Sequence, residues 1–312
     1  MWAGRLCHGI RWRIAALAYR IRSVYDRLFD HYLRLRIRLA WMRRSRPQVL
    51  HHLPASLIIS LTSFPARYET LHLTLKSLLL QSVRPDQVIL WIAAEHQAML
   101  PRSVLDLQAQ GLTIASCDNA LRSHNKYIHT RRLYPDAFIA TADDDTYYWP
   151  SWLADLIADY DPAQRVIPCH RVHQVKLTAD GKPAPYRDWH WESADTNASA
   201  LIFPTGVGGV LYPPACLSAD VDDDARILAL CPLADDVWLY WMAQRNGYLF
   251  RKTRRWRRLH HWQRSQKLGL MWGNVYNGNG NDEQIKAMIA AYGWLPTVIP
   301  SLAQPTDHAA VG

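Results

Sequence analysis

Three consecutive carboxylates, Asp143, Asp144 and Asp145, directly follow the apolar run 137–142. Burying an ionised side chain without a partner is costly, so we expect these residues just beyond the C-terminal end of a buried strand. That end lies at the sheet edge where open α/β folds bind ligands. Asp143 and Asp145 then suit a hard divalent cation that holds a diphosphate. A solvated acidic turn is the alternative, and the preceding apolar strand favours the metal.

Asp235 and Asp236 form a second carboxylate pair, at the start of the apolar helix predicted to follow them. The helix dipole favours negative charge at this end. Capping accounts for one of the two carboxylates and leaves the other available for chemistry. A third acidic stretch, 219–224, has no apolar strand before it, and we interpret it as a solvated loop.

A glycine-rich segment, Gly206-Val207-Gly208-Gly209, precedes another predicted strand. Because glycine has no side chain, it lets the backbone approach a ligand closely. A tight structural turn would need the same residues. Both interpretations, a ligand-binding loop and a structural turn, remain open at this point.

A cationic run over 251–258 leads to two adjacent histidines, His260 and His261. Arginine and lysine side chains bind phosphate, and a histidine here would provide a third metal ligand. A basic surface that only faces solvent is the alternative. Nearer the N-terminus, the polar loop of Thr62 and Ser63 ends in another cation, Arg67.

The elements that would position these motifs alternate between strand and helix patterns. Apolar, β-prone stretches occupy 56–61, 88–92, 112–115 and 137–142. Helical segments with short connections separate them, which predicts a parallel sheet in an α/β fold. No Gly-x-Gly-x-x-Gly or Walker sequence opens these helices, so dinucleotide binding and P-loop chemistry are not expected. We divide the chain into an N-terminal helix and linker (1–50), a main domain (51–265) and a C-terminal loop, helix and tail (266–312).

The net charge of +9 is unevenly distributed over the 312 residues. Residues 1–46 carry twelve arginines against Asp26 and Asp30, a balance of +10, which leaves −1 for the remainder. A nearly neutral main domain argues against nucleic-acid binding. Five scattered cysteines show neither zinc spacing nor a disulfide framework, so we expect a reducing cytoplasm.

The basic N-terminal segment reads as one amphipathic helix over 8–44. Its apolar positions are Ile10, Ile14, Leu17, Ile21, Val24, Leu28, Tyr32, Leu35, Leu39 and Met42. Arginines recur every seven residues beside this stripe. In a parallel dimer they would bring like charges together, which opposes self-pairing. A basic-edged apolar stripe suits an anionic membrane surface better. A helix that packs on its own domain, or binds an acidic partner, is the alternative. The favoured interpretation predicts a cytoplasmic protein held peripherally on the inner face of the cytoplasmic membrane.

The order of the motifs resembles that of a known enzyme family. The motifs are Ser60-Leu61-Thr62-Ser63-Phe64-Pro65-x-Arg67, Lys126, Asp143-Asp144-Asp145, Gly206-x-Gly208-Gly209-Val210-Leu211-Tyr212-Pro213 and Asp235-Asp236-x-Trp238. Over roughly residues 55–262 the chain resembles bacterial glycosyltransferases of the GT-A fold, above all family-2-like enzymes of surface polysaccharide and lipopolysaccharide assembly. The resemblance implies a mixed, mostly parallel sheet flanked by helices.

The resemblance also implies roles for the candidate residues. Asp143 and Asp145 would hold a divalent metal, Mn²⁺ or Mg²⁺, with His260 or His261 completing its shell. Asp236, with Asp235 beside it, would be the base of an inverting transfer from a nucleotide sugar to a glycan or lipid-linked acceptor. The residues assigned to the nucleotide sugar are Thr62, Ser63, Arg67, Lys126, Asp143, Asp144, Gly208 and Gly209.

Two other functions compete with this one. A different metal-dependent phosphotransferase or hydrolase would use the same aspartates on a phosphate substrate without a sugar acceptor. A catalytically inactive scaffold of a polysaccharide assembly complex would need no base at all. The carboxylate pair at a helix start favours the glycosyltransferase.

Overall fold

The computed structural model describes residues 2–44, 49–255, 257–263 and 280–294, with side chains from residue 20 onward. The helices are α1 Trp2–Met42, α2 Tyr68–Leu79, α3 Arg102–Leu105, α4 Asn125–Leu133, α5 Trp152–Ala158, α6 Asp224–Leu230, α7 Asp235–Arg245 and α8 Gly280–Tyr292. The strands are β1 Val49–Leu50, β2 Leu57–Ser63, β3 Val83–Arg84, β4 Gln87–Ala93, β5 Leu112–Cys117, β6 Phe138–Thr141, β7 Thr146–Tyr147, β8 Val166–Cys169, β9 Val172–Gln174, β10 Ile202–Pro204, β11 Val210–Tyr212, β12 Leu249–Lys252 and β13 His260–His261.

Seven of these strands form one sheet in the order β12-β8-β11-β6-β2-β4-β5. Strands β6, β2, β4 and β5 run parallel, as do β12 and β8. Strand β11 is antiparallel to both of its neighbours, β6 and β8. The predicted α/β class, with a mixed, mostly parallel sheet, flanking helices and an N-terminal helix, is confirmed.

The central strand β2 is buried on both faces, as a parallel strand between helical layers must be. Leu57, Ile59 and Leu61 point to the layer that contains α2, α3 and α5. Ile58 belongs to the cluster on the opposite face, and the neighbouring Ser60 hydroxyl lies 2.7 Å from that of Thr130 on α4. Alternate residues of β2 thus contact the helices on the two faces of the sheet.

The helix that begins with the carboxylate pair is anchored in the largest hydrophobic cluster. Trp238 and Trp241 of α7 are fully buried there. Ile285 and Met288 of α8 belong to the same cluster. Helix α8 therefore packs on the main domain, whereas the loop and tail predicted around it lie outside the described residues. The three-part division of the chain stays a prediction.

One face of α1 packs on the main domain. Phe29, Leu33 and Ile37 contact a cluster that includes Tyr147 and Trp262. On this inner face, α1 therefore packs on its own domain, which was the alternative to a membrane surface in the sequence analysis. Among the described residues, no helix combines the length and the apolar character that crossing a membrane requires.

Candidate active site

A cavity of about 830 Å³ opens at the carboxyl ends of β2, β4 and β6. Its floor includes the Thr62-Ser63 loop and the three aspartates 143–145. The start of α7, with Asp235 and Asp236, lines the cavity beside them. The third side is formed by the segment 257–261 and by Arg22 of α1. The cavity thus brings together motifs that lie more than 170 residues apart in the chain.

Each of the three aspartates after β6 has its own partner. Asp143 accepts a hydrogen bond of 2.8 Å from Lys126 Nζ. Asp144 accepts one of 2.6 Å from the Ser63 hydroxyl. The third carboxylate, that of Asp145, forms a buried ion pair with the Arg67 guanidinium.

The different partners give these carboxylates different acidities. Burial, reinforced by the charge of Asp145, raises the pKa of Asp144 to about 7. Burial also opposes ionisation of Asp145, but contacts with His261 and Arg67 outweigh it and hold its pKa well below the usual range. The site therefore contains one carboxylate kept ionised and, beside it, one that protonates near neutrality.

Lys126 connects the two acidic clusters. Its ammonium lies 2.8 Å from an oxygen of Asp143 and 2.9 Å from an oxygen of Asp235. Burial favours the neutral amine, but the charges of Asp143 and Asp235 prevail and raise the pKa of Lys126 well above its ordinary value. The amine therefore stays cationic between the floor of the cavity and the start of α7.

Asp236 is the carboxylate best suited to accept a proton. Its Oδ1 accepts a hydrogen bond of 2.9 Å from the backbone N–H of Gly206. Burial, followed by the charge of Asp235, raises the pKa of Asp236 to about 8. The neighbouring Asp235 is more deeply buried, but Lys126 lowers its pKa. The pKa of Asp236 therefore suits a group that accepts a proton, whereas the lowered pKa of Asp235 keeps that carboxylate negatively charged.

The glycines of the segment 206–209 have different surroundings. A Cβ on Gly206 would lie 2.7 Å from Asp236 Oδ1, at the site itself. A Cβ on Gly208 or Gly209 would collide with Arg171 or with the ring of Trp152, and Gly209 has a φ of +96°. Neither Gly208 nor Gly209 lines the cavity described here. A tight structural turn accounts for these two glycines, and their contact with a ligand stays a prediction.

The structure distinguishes the two adjacent histidines. Strand β13 pairs with β7 so that His261 stands opposite Thr146. His261 lines the cavity, with Nδ1 3.6 Å from Asp145 Oδ1. His260 points the other way, and its Nε2 lies 3.1 Å from Asp30 of α1. Only His261 of this pair is near the predicted metal ligands.

The donor set around Asp143 and Asp145 fits a hard divalent cation. Five carboxylates at 143–145 and 235–236 share two buried cations, Arg67 and Lys126, and burial raises the pKa of two of them. Among the described residues, no cluster of three or more potential ligands forms a complete protein shell. Sites of the Mg²⁺ type use one or two carboxylates and complete the shell with substrate phosphates and water.

Several cavity residues were not among the site residues predicted from the sequence, although Trp189-His190-Trp191 suits stacking on a sugar ring as well as packing in the core. Arg171 pairs with Glu192 at 3.1 Å and donates to the Thr205 hydroxyl at 3.0 Å. Trp191 stacks on His173 with ring centroids 5.0 Å apart, whereas Trp189 is buried in the core. The Trp-His-Trp sequence at 189–191 was a local signal for this wall, but it did not indicate which tryptophan faces the cavity.

No protein-family model matches the chain, and no curated protein matches it. The solved structures that resemble it include an inositol-1-phosphate CTP transferase from T. maritima, at 9% identity and a TM-score of 0.34, over 61% of this chain and 71% of that one. Another is the mannosyltransferase PcManGT from Pyrobaculum calidifontis in complex with GDP-Man and Mn²⁺, at 13% identity and a TM-score of 0.38, over 73% of this chain and 64% of that one. Likenesses this distant carry no argument about the reaction, so the functional conclusion depends on the residues of the cavity.

Proposed function

We propose that this protein is a metal-dependent glycosyltransferase that moves a sugar from a nucleotide-sugar donor to a hydroxyl of a glycan or lipid-linked acceptor, with inversion. One observation carries the proposal. A pair of carboxylates suited to a metal, Asp143 and Asp145, and a partly buried carboxylate of raised pKa, Asp236, face one cavity. Lys126 connects the two clusters, because it bridges Asp143 and Asp235, the neighbour of Asp236.

The donor diphosphate fits the floor of the cavity. Asp143 and Asp145 would hold the divalent cation, with His261 beside them. When bound, such a cation stabilises the negative charge that develops on the leaving phosphate oxygens. Arg67 and Lys126 supply fixed positive charge at the same place, and Thr62 and Ser63, also in the floor, would contact the nucleoside.

Asp236 would act as the general base. As the acceptor oxygen forms its bond to the anomeric carbon, the bond from that carbon to the phosphate oxygen breaks, and the diphosphate leaves with the electron pair. The hydroxyl proton passes to the Asp236 carboxylate, and attack from the face opposite the diphosphate inverts the anomeric centre. A positioned base contributes about 10²–10⁴-fold to the rate. Asp235 remains ionised beside Lys126 and supports Asp236 by holding that lysine in place.

The acceptor fits the wall beside Asp236, where Tyr186 and Trp191 line the cavity. Aromatic rings and their polar edges suit a sugar, because the ring offers an apolar face and the edge a hydrogen bond. Arg171 and Glu192 border the same side and offer polar partners for hydroxyl groups.

The proposal is tested by incubating the protein with nucleotide sugars and following release of the nucleoside diphosphate, with Mn²⁺ and with a chelator. We expect release from one class of nucleotide sugar, dependent on the metal and accelerated by an added glycan or lipid-linked acceptor. Hydrolysis of simple phosphate esters without any acceptor would favour the phosphotransferase or hydrolase instead. A protein inert toward all donors would favour the scaffold.

A further inference from the structure

Helix α1 has a second apolar face, which points away from the main domain. We call it the outer stripe: Ile21, Val24, Leu28, Tyr32, Leu35, Leu39 and Met42. Their side chains are between 40% and 71% exposed. The three- and four-residue spacing places them along one side of the helix, over about 32 Å at 1.5 Å per residue. The inner face is occupied by the domain, whereas the outer stripe stays largely exposed, and only Tyr32, Leu35 and Leu39 of its described residues also border a groove that the domain lines.

The outer stripe continues onto the neighbouring strand. Val49, the first residue of β1, shares a surface groove with Leu35 and Leu39. Val49 and Leu50 are themselves more than 60% exposed, at 62% and 66%. A contiguous exposed apolar surface of this kind marks a site of interaction.

The charges around the outer stripe have one sign. Its exposed basic neighbours are Arg20, Arg27 and Arg38 on α1 and Arg43 and Arg44 directly after it. The two acidic residues of this part of the helix are turned toward the domain. Asp30 is buried against Arg34 and His260, and Asp26 pairs with Arg258 at 3.4 Å. An apolar stripe edged by arginines without exposed acids complements an anionic surface that also accepts apolar groups.

We infer that the outer stripe docks α1 in the plane of an anionic lipid bilayer. The apolar side chains would enter the acyl boundary, and the arginine stems would lie along lipid with their guanidinium groups at phosphate level. A second copy of the chain fits less well, because parallel pairing along this stripe would bring like charges together. The inference does not depend on the proposed reaction.

Docking by α1 would also orient the cavity. Arg22 lies on the same helix and lines the cavity together with Arg257 and Arg258. The mouth of the site is thus built partly from the helix that would rest on the bilayer.

The test is co-sedimentation of the full chain with phosphatidylcholine vesicles, with and without phosphatidylglycerol. The test variant is Leu28→Glu/Leu35→Glu. The matched control is Leu133→Glu/Leu228→Glu, which changes two leucines that are exposed on α4 and α6. Leu28 and Leu133 are almost equally exposed, at 64% and 63%, so both substitutions should leave the fold intact. Unchanged thermal unfolding in both variants verifies this.

We expect the wild type and the control to bind vesicles that contain phosphatidylglycerol, less strongly at high salt. The Leu28→Glu/Leu35→Glu variant should bind about 100-fold more weakly, because two leucines that would enter the acyl boundary are lost. Equal binding by both double variants, equal binding to neutral vesicles, or no binding by the wild type would overturn the inference. A wild-type dimer in light scattering that becomes monomeric in the test variant, without vesicle binding, would identify a second copy as the occupant.

Discussion

The carboxylate of Asp236 accepts a hydrogen bond of 2.9 Å from the backbone N–H of Gly206. This contact joins the glycine segment before β11 to the first turn of α7. Because the carboxylate is held by backbone, its orientation depends on the absence of a side chain at 206. A Cβ there would lie 2.7 Å from Asp236 Oδ1 and 3.0 Å from Lys126 Nζ.

Replacing Gly206 with alanine should therefore displace the base. We expect Gly206→Ala to lower kcat of the proposed transfer by about 100-fold, the effect of a misplacement of about 1 Å in a catalytic group. Stabilisation by metal and nucleotide should fall less than kcat, because the added Cβ meets Asp236 more closely than Lys126, the donor-site residue beside it. The measurement compares steady-state kcat with the nucleotide-induced shift in Tm. An unchanged kcat would show that the geometry around Gly206 is irrelevant to the reaction.

Removing the base itself should have the larger effect. We expect Asp236→Asn to reduce kcat by about 10²–10⁴-fold with nucleotide binding retained, because the amide cannot accept the hydroxyl proton. Asp224→Asn is the control, since Asp224 belongs to the other acidic stretch and pairs with Arg132 at the surface. Full activity of Asp236→Asn would contradict the assignment of the base.

The pH dependence follows from the pKa of Asp236, which burial and the charge of Asp235 raise to about 8. A general base must be deprotonated, so kcat/KM should rise with pH through this region and then level off. In Asp235→Asn one cause of the raised pKa is removed, and the rising limb should move to lower pH. Rate profiles of the two proteins measure this. A limb that stays in place or moves to higher pH would exclude Asp236 as its origin.

The fold and the two carboxylate clusters were predictable because their signals are local. The run that forms β6 is apolar and ends in charge, and α7 begins with Asp235 and continues as an apolar helix. The alternation of strands and helices likewise predicted the parallel part of the sheet. The antiparallel insertion of β11 between β6 and β8 had no such signal, because three-residue strands carry little periodicity.

Other parts of the site depend on contacts between distant residues. His261 lines the cavity and His260 does not, because β13 pairs with β7 in this register. The partner of His260 is Asp30, which is 230 residues away in the chain. Similarly, Arg22 reaches the cavity only because the inner face of α1 packs near Trp262. Neither relationship can be inferred from spacing within either segment.

The two histidines should therefore give opposite results when replaced. We expect His261→Ala to weaken the Mn²⁺ dependence of nucleotide binding, because His261 faces Asp145 in the cavity. His260→Ala should leave the Mn²⁺ response intact and lower the free energy of unfolding by about 1–3 kcal/mol, because it leaves the buried Asp30 with one partner fewer. Mn²⁺ titrations and denaturant unfolding of both variants provide the comparison. The reverse pattern would assign the metal to His260.

The most direct test of the central claim is a thermal-unfolding titration with UDP, GDP, dTDP and CMP, with and without Mn²⁺, on the wild type and on Asp145→Ala. We predict stabilisation by one nucleotide only when Mn²⁺ is present, amounting to about 2.7 kcal/mol at a concentration 100 times Kd. The variant should lose this response. No response of the wild type to any nucleotide, the same response without metal, or an undiminished response in the variant would contradict a metal-dependent nucleotide-sugar site at these aspartates.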